Sequence, residues 1–302
     1  MECVPFDPAA IDAYPTRPAW DAAAPDLVAL MLERWRLTPA ESFRGGRVAV
    51  VLAVTTEDGI DAVLKVGFPH VEAVCEAVAL DAWGVRLAPA VLRQDRFTWS
   101  LLLERVRPGT PLSHVMLPTD TAIDAACRLH AAFAARPARR EIPGLAEIMA
   151  PFVDQAHAAM RTAARDADWA LVDGGLRDYA ALLELDDGDA LLHGDFNPGN
   201  VLDDGSGWRV IDPKPMIGEP AFDLAPLVDQ LGAPWSLAHP LPVLHERMVR
   251  AAALVGADPR RAIRWAHARA AMDVTWYRAD GDAAAAAHAL ARVRGWAALS
   301  AA

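Results

Sequence analysis

Cysteine is scarce. Only Cys3, Cys75 and Cys127 occur in 302 residues, an odd number and widely spaced. They offer neither a disulfide framework nor a zinc-ligand spacing, so a reducing, cytoplasmic compartment is the expectation. Positive charge is also in deficit. A formal net charge of −11 argues against a general nucleic-acid binder, which needs a basic face to neutralise phosphates. It suits a cationic ligand and keeps the chain soluble. Long apolar runs are missing as well: the alanine-rich C-terminal segments are broken by Arg, Asp and His before they reach the roughly 20 residues a membrane span needs. Met1-Glu2-Cys3-Val4-Pro5 has no basic stretch leading into an apolar one, so no secretory signal and no membrane partner are expected.

Other absences remove whole chemistries. His245-Glu246-Arg247-Met248-Val249 lacks the second histidine of a zincin helix, and neither a G-x-S-x-G elbow nor a Walker A lysine motif occurs. Asp186-Asp187-Gly188-Asp189 begins like a calcium loop, but Asn197 stands where that loop needs its glutamate, so it reads as a helix-terminating turn.

What is present has a clear order. Apolar side chains recur at helical spacing over residues 26–36. Val48–Val54 and Ala62–Val66 then read as a hairpin about Glu57-Asp58-Gly59. A helix follows from about Val71 to Trp83, then strands Ala90–Gln94 and Thr98–Val106 about a turn at Asp95-Arg96. From Pro118 the pattern is mainly helical, with Thr119 as an expected N-cap and helices over 145–166 and 169–184. A short hairpin turning at Asp203–Gly207 interrupts it, and three or four helices fill 221–300. The expected fold is α+β in two lobes: residues 1–106, a small antiparallel sheet with a helix, and residues 107–302, larger and mainly helical.

The densest chemistry lies at His193-Gly194-Asp195-Phe196-Asn197-Pro198-Gly199-Asn200, with Asp212 ending the strand Trp208–Ile211. Turns favour Asp, Asn, Gly and Pro for conformational reasons alone. Phosphoryl transfer from ATP, however, needs this set: a carboxylate to orient a hydroxyl and accept its proton, and two hard oxygen ligands for Mg2+. Asp195 is the candidate base, and Asn200 and Asp212 are the candidate metal ligands. His193 is expected to buttress the loop. Lys65, flanked by Leu64 and Val66 on a strand, is the candidate phosphate-holding lysine, unless it is an edge residue facing water. Of the acids that follow, Glu76 is the candidate partner, since Glu72 in the first helical turn is explained by the helix dipole. Gly45-Gly46 would let the backbone approach the phosphates. The connector with Glu104 and Val106 would offer backbone groups to the adenine.

Together these segments resemble the aminoglycoside phosphotransferase superfamily of kinase-like small-molecule kinases. H-G-D-x-x-x-x-N marks the superfamily. Leu32-Glu33-Arg34-Trp35 with Gly45-Gly46-Arg47-Val48, Leu101–Gly109, and Ile211-Asp212-Pro213-Lys214-Pro215 with Gly218–Ala225 are similar to the streptomycin 6-kinase/hydroxyurea phosphotransferase branch. The resemblance runs from about residue 25 to 300. It implies a protein-kinase-like fold and transfer of the ATP γ-phosphate to a hydroxyl of an aminocyclitol antibiotic, streptomycin at its 6-hydroxyl being the leading acceptor. The alternatives are another hydroxylated metabolite as acceptor, or a catalytically idle kinase-fold binder. The partners expected are ATP and a small cationic substrate, with the chain a monomer or weak dimer. Phe196-Asn197 departs from the Leu-His of many relatives, and Met1–Trp20 matches nothing recognisable. The acceptor side is expected around Asp273, Trp276, Asp280 and Asp282, where carboxylates beside aromatic faces suit guanidinium or ammonium groups. Trp265 and Trp276 there read more readily as core residues, and Asp280 and Asp282 have an alternative reading as caps of the next helix. Asp223 is expected to hold the catalytic loop by hydrogen bonds.

Overall fold

A computed structural model describes residues 3–43, 48–162, 165 and 167–301. The chain is α+β and 54% helical, with an antiparallel sheet in its N-terminal part and helices dominating its C-terminal part. It divides into two compact units. The first joins Met1–Pro111 with Pro137–Ile142 and Asn200–Pro215, and the second joins Leu112–Arg136, Pro143–Gly199 and Met216–Ala302.

The first unit opens with α1 (Ala9–Ala13) and α2 (Arg17–Trp35), followed by β1 (Thr38–Ser42), β2 (Ala49–Thr55) and β3 (Asp61–Gly67). Helix α2 starts nine residues before the helical spacing at Asp26 announces it, because Thr16 caps it by accepting the Ala19 N–H. After α3 (Glu76–Trp83) come β4 (Val91–Asp95) and β5 (Ser100–Glu104), completing a five-stranded antiparallel sheet in the order β1-β2-β3-β5-β4. Strand β3 is therefore central, with Lys65 opposite Val51 on one neighbour and Leu101 on the other. The edge-strand reading of Lys65 fails for that reason. Strand periodicity sends Ala62, Leu64 and Val66 to one face, where they pack on Met31, Trp35 and Leu37 at the end of α2 and after it. Lys65, one residue out of phase, points to the other face.

The helix expected from Val71 begins later. Val71–Ala73 is a single tight turn, and α3 starts at Glu76. The Val74 carbonyl, which a continuous helix would use internally, accepts the Phe6 N–H at 2.8 Å instead. Phe6 belongs to an N-terminal segment whose sequence resembled nothing. It is 2% exposed and stacks on Trp99 with ring centroids 4.8 Å apart. Asp7 donates its N–H to the Arg96 carbonyl and accepts the Trp99 indole N–H, both at 2.9 Å. This segment thus ties the residues leading into α3 to the β4–β5 turn. On the other side the Cys75 thiol donates to the Glu141 carbonyl at 3.0 Å.

In the second unit α4 (Thr119–Ala134), α5 (Leu145–Thr162) and α6 (Trp169–Glu184) precede β6 (Ala190–Leu192). Thr119 is the first helical residue rather than the cap, since the Pro118 carbonyl takes the first intrahelical bond from Ala122. The hairpin of β7 (Val201–Asp203) and β8 (Trp208–Val210) returns to the first unit, its turn closed by Asp204 accepting the Ser206 and Gly207 N–H groups. Strand β9 (Met216–Gly218) then pairs with β6, and α7 (Leu224–Gln230), α8 (Pro240–Val255), α9 (Pro259–Ala279) and α10 (Ala283–Ser300) complete the second unit. Among the described residues no helix is long and apolar enough to cross a membrane.

Phe6→Ala should cost about 3–5 kcal/mol, the usual range for emptying a buried aromatic site. Thermal unfolding should show the loss, and hydrogen exchange should show faster exchange at the α3 amides. Unchanged exchange in α3 would mean that the N-terminal segment does not brace that helix.

Candidate active site

Lys65 is the centre of the first unit's polar chemistry. Its Nζ donates to Glu76 Oε1 at 2.6 Å and to Asp212 Oδ1 at 2.5 Å. The Lys65 and Glu76 side chains are 10% and 4% exposed, whereas Asp212 is 42% exposed. Burial works against the Lys65 ammonium, but Asp212 and Glu76 outweigh it and hold the pKa above the ordinary lysine range. Burial pushes the Glu76 carboxyl up to about 7, with Asp212 acting in the same sense and Lys65 against it. A small cavity adjoins the trio, lined in part by Phe6, His70 and Trp99. The His70 Nδ1–H donates to the Phe68 carbonyl at 2.8 Å, leaving Nε2 a buried lone pair with no hydrogen-bond partner among the described residues.

Asn200 and Asp212 meet at the open end of the β7–β8 hairpin, where the Ile211 N–H donates to the Asn200 carbonyl at 3.0 Å. Asp212 has φ 58°, a left-handed conformation that non-glycine residues adopt at a cost and that gathers at functional sites. An amide oxygen and a partly exposed carboxylate on adjacent ends of one hairpin are the hard-oxygen donors that Mg2+ takes when phosphates and water complete its shell. The Glu104 carboxylate is committed, accepting the Ala90 N–H at 3.1 Å and Arg209 Nη1 at 2.8 Å. Val106 is buried just beyond β5. Gly45 and Gly46 lie outside the described residues.

The loop with Asp195 belongs to the second unit and hangs on one buried carboxylate. Asp223 Oδ2 accepts the His193 N–H at 2.7 Å, Oδ1 accepts the Gly194 N–H at 2.8 Å, and His130 Nε2 donates to Oδ2 at 3.1 Å. Burial alone would raise the Asp223 pKa, but the His130 bond and charge, with His193, hold it below the ordinary carboxylate range. Gly194 has φ 78°, which explains a glycine there. Phe196 turns into the core. It is fully buried, with its ring centroid 5.6 Å from that of Phe133 and 5.2 Å from that of His130. Asn197 does the local work: its amide donates to Asp195 Oδ1 at 3.1 Å and accepts the Gly199 N–H at 2.9 Å. His193, fully buried, accepts the Asp195 N–H at 3.3 Å. Arg269, absent from the sequence reading, donates to the Gly194 carbonyl at 3.2 Å and lies 4.2 Å over the Phe222 ring. Only its heptad step to Trp276 on α9 could have drawn attention to it.

The four acceptor candidates do not form one cluster of free groups. Asp273 is paired with Arg292 at 2.8 Å, and Arg292 also binds the buried Asp229 at 2.5 Å. Trp276, one helical turn from Asp273, is 38% exposed and packs edge-on against Phe152. Asp280 is exposed at the end of α9, and Asp282 caps α10 by accepting the Ala285 N–H at 3.0 Å. Trp265 is core: fully buried, with its indole donating to Glu219 at 2.6 Å.

The sequence profile of the aminoglycoside/hydroxyurea antibiotic resistance kinases matches residues 34–281. The chain belongs to that family. It is accordingly a phosphotransferase with an alcohol group as acceptor. It is 33% identical over 274 residues to the streptomycin 6-kinase of Streptomyces glaucescens, covering 88% of this chain and 87% of that one. It is 34% identical over 273 residues to the hydroxyurea phosphotransferase of Kitasatospora aureofaciens, covering 86% and 75%. In fold it is similar to a thermostable variant of aminoglycoside phosphotransferase APH(4)-Ia in ternary complex with AMP-PNP and hygromycin B. That likeness has a TM-score of 0.60 and 18% identity, over 89% of this chain and 96% of that one.

Asp223→Asn should lower stability at pH 7 by about 1.5–3 kcal/mol for each charge-assisted bond it loses. A carboxylate whose folded pKa is depressed stabilises above its unfolded pKa and stops doing so as pH falls through the folded one. The gap between wild type and variant in urea unfolding should therefore be full at pH 7 and shrink below about pH 4. A gap that holds constant into acid would contradict this role for Asp223.

Proposed function

We propose that this kinase transfers the γ-phosphate of Mg·ATP to a hydroxyl of an aminocyclitol antibiotic, with streptomycin, at its 6-hydroxyl, as the acceptor. The observation that carries the nucleotide half is Lys65 held between Glu76 and Asp212. In this reading Glu76 keeps Lys65 on the phosphate side of the sheet, and Lys65 binds the α- and β-phosphates. The connector around Glu104 and Val106 offers main-chain groups to the base. Asn200 and Asp212 would hold Mg2+, whose contribution there is neutralising phosphate charge. Asp195 orients the acceptor hydroxyl and receives its proton. A loose transition state asks for little basicity and much positioning, and the Asn197 amide and the Asp223-anchored backbone supply it. That a phosphotransferase of like fold binds AMP-PNP and hygromycin B together supports a site for a nucleotide and an antibiotic acceptor.

The acceptor half is carried by the relatives, and one observation favours a second reading. Asp273 is already satisfied by an internal guanidinium, so it does not stand ready for the guanidinium of a substrate. That leaves Trp276, Asp280 and Asp282 as the proposed acceptor contacts, and it gives weight to a smaller hydroxylated acceptor such as hydroxyurea.

ADP release with streptomycin, hydroxyurea and other hydroxylated compounds, with mass spectrometry of the product, tests both readings. Streptomycin-stimulated release and a monophosphorylated product are expected; stimulation by hydroxyurea alone would select the second reading. Asp195→Ala should lower turnover by about 10²–10⁴-fold while leaving nucleotide affinity unchanged. Undiminished turnover in that variant would remove Asp195 from the role of base.

A further inference from the structure

The nucleotide site has an electrostatic shortfall. Lys65 is its one described ammonium, and it faces two carboxylates, Glu76 and Asp212. The trio is net negative when all three are ionised, on a chain whose formal charge is already −11. A polyanion such as ATP needs further positive charge there. Several arginines of the same unit are already committed: Arg105 and Arg107 are paired with Asp61, and Arg209 with Glu104 and Asp204.

Lys214 differs from them. Of 29 basic residues, only Lys65 and Lys214 are lysines. Lys214 is half-buried, and among the described residues its side chain has neither an ion pair nor a hydrogen bond. It follows Asp212 by two residues, which places its Cα within about 7 Å of that of Asp212, whose carboxylate touches Lys65. Pro213 fixes its own φ, and Pro215 restricts Lys214 to extended backbone, so the segment is stiff. The charges of Lys214 and Lys65 both reach His70, whose ring lines the cavity beside the trio. An ammonium left without a carboxylate in so acidic a chain is arranged for an anion that arrives from outside.

We propose that Lys214 is a second phosphate-holding residue of the nucleotide site, binding the phosphate chain of ATP beside Lys65. This rests on the nucleotide-binding reading given above. Lys65 is fixed by its two carboxylates, whereas Lys214 brings the positive charge that they do not cancel.

The test is isothermal titration of the full-length protein with ATP, ADP, AMP and adenosine, for wild type, Lys214→Met and Lys214→Arg. Lys214→Met should lose about ten- to a hundredfold in ATP affinity, the range for one charge-assisted bond. Adenosine affinity and melting temperature should stay at wild-type values, and Lys214→Arg should keep most of the ATP affinity. Wild-type ATP affinity in Lys214→Met overturns the proposal, and so does an equal loss for ATP and adenosine, which marks a packing role. A wild-type protein that binds neither ATP nor adenosine overturns the nucleotide reading itself, so the two failures are told apart.

Discussion

The first unit is arranged around the cost of burying one ammonium. Lys65 sits on the central strand of the sheet, nearly out of water, and an unpaired charge there would cost several kcal/mol. Glu76 and Asp212 offset that cost from two directions, one from α3 and one from the end of β8. They are not equivalent. Glu76 is buried and, among the described residues, its carboxylate bonds to Lys65 alone, so it is a fixed support. Asp212 is half in water and strained in its backbone, which suits a group that exchanges one cation for another. Much else follows from keeping α3 in place. Phe6 and Asp7 brace its approach against Trp99 and Arg96, and Cys75 fastens its start to Glu141.

The second unit solves a different problem, that of holding a loop of turn-forming residues in one conformation. A single buried carboxylate, Asp223, gathers two successive backbone N–H groups and a histidine. Phe196 fills the core beneath the loop, and Asp195 and Asn197 on either side of it are half-buried. Asp195 therefore inherits its orientation from neighbours that perform no chemistry, and such preorganisation is what phosphoryl transfer asks of a protein.

The sequence revealed most where function and local pattern coincide. The β2–β3 hairpin, the α6 boundaries and the β7–β8 hairpin follow from periodicity and turn residues, and Asp223 was legible as the loop's support. What stayed hidden depended on long-range partners. No local pattern shows that Val74 gives its carbonyl to Phe6 and so delays α3, or that Phe6 and Asp7 fold onto Trp99. Strand propensity alone does not distinguish a central Lys65 from an edge one. The acceptor side was least legible, since Asp273 and Asp282 look alike in sequence. In the structure one neutralises Arg292 and the other caps a helix. That a chain rich in arginine holds just two lysines was countable from the start, but it had no meaning until Lys214 was seen to lack a side-chain partner among the described residues.

The central proposal is that Asp212, which binds Lys65, would turn to Mg2+ when nucleotide binds. Nucleotide affinity of wild type and Asp212→Asn, measured in EDTA and again in excess Mg2+, tests it directly. The account predicts a crossing. Without Mg2+ the variant should bind ATP more tightly than wild type, because Lys65 is released and a negative charge is gone; with Mg2+ it should bind more weakly. A variant that is weaker under both conditions, or unchanged under both, would contradict the account.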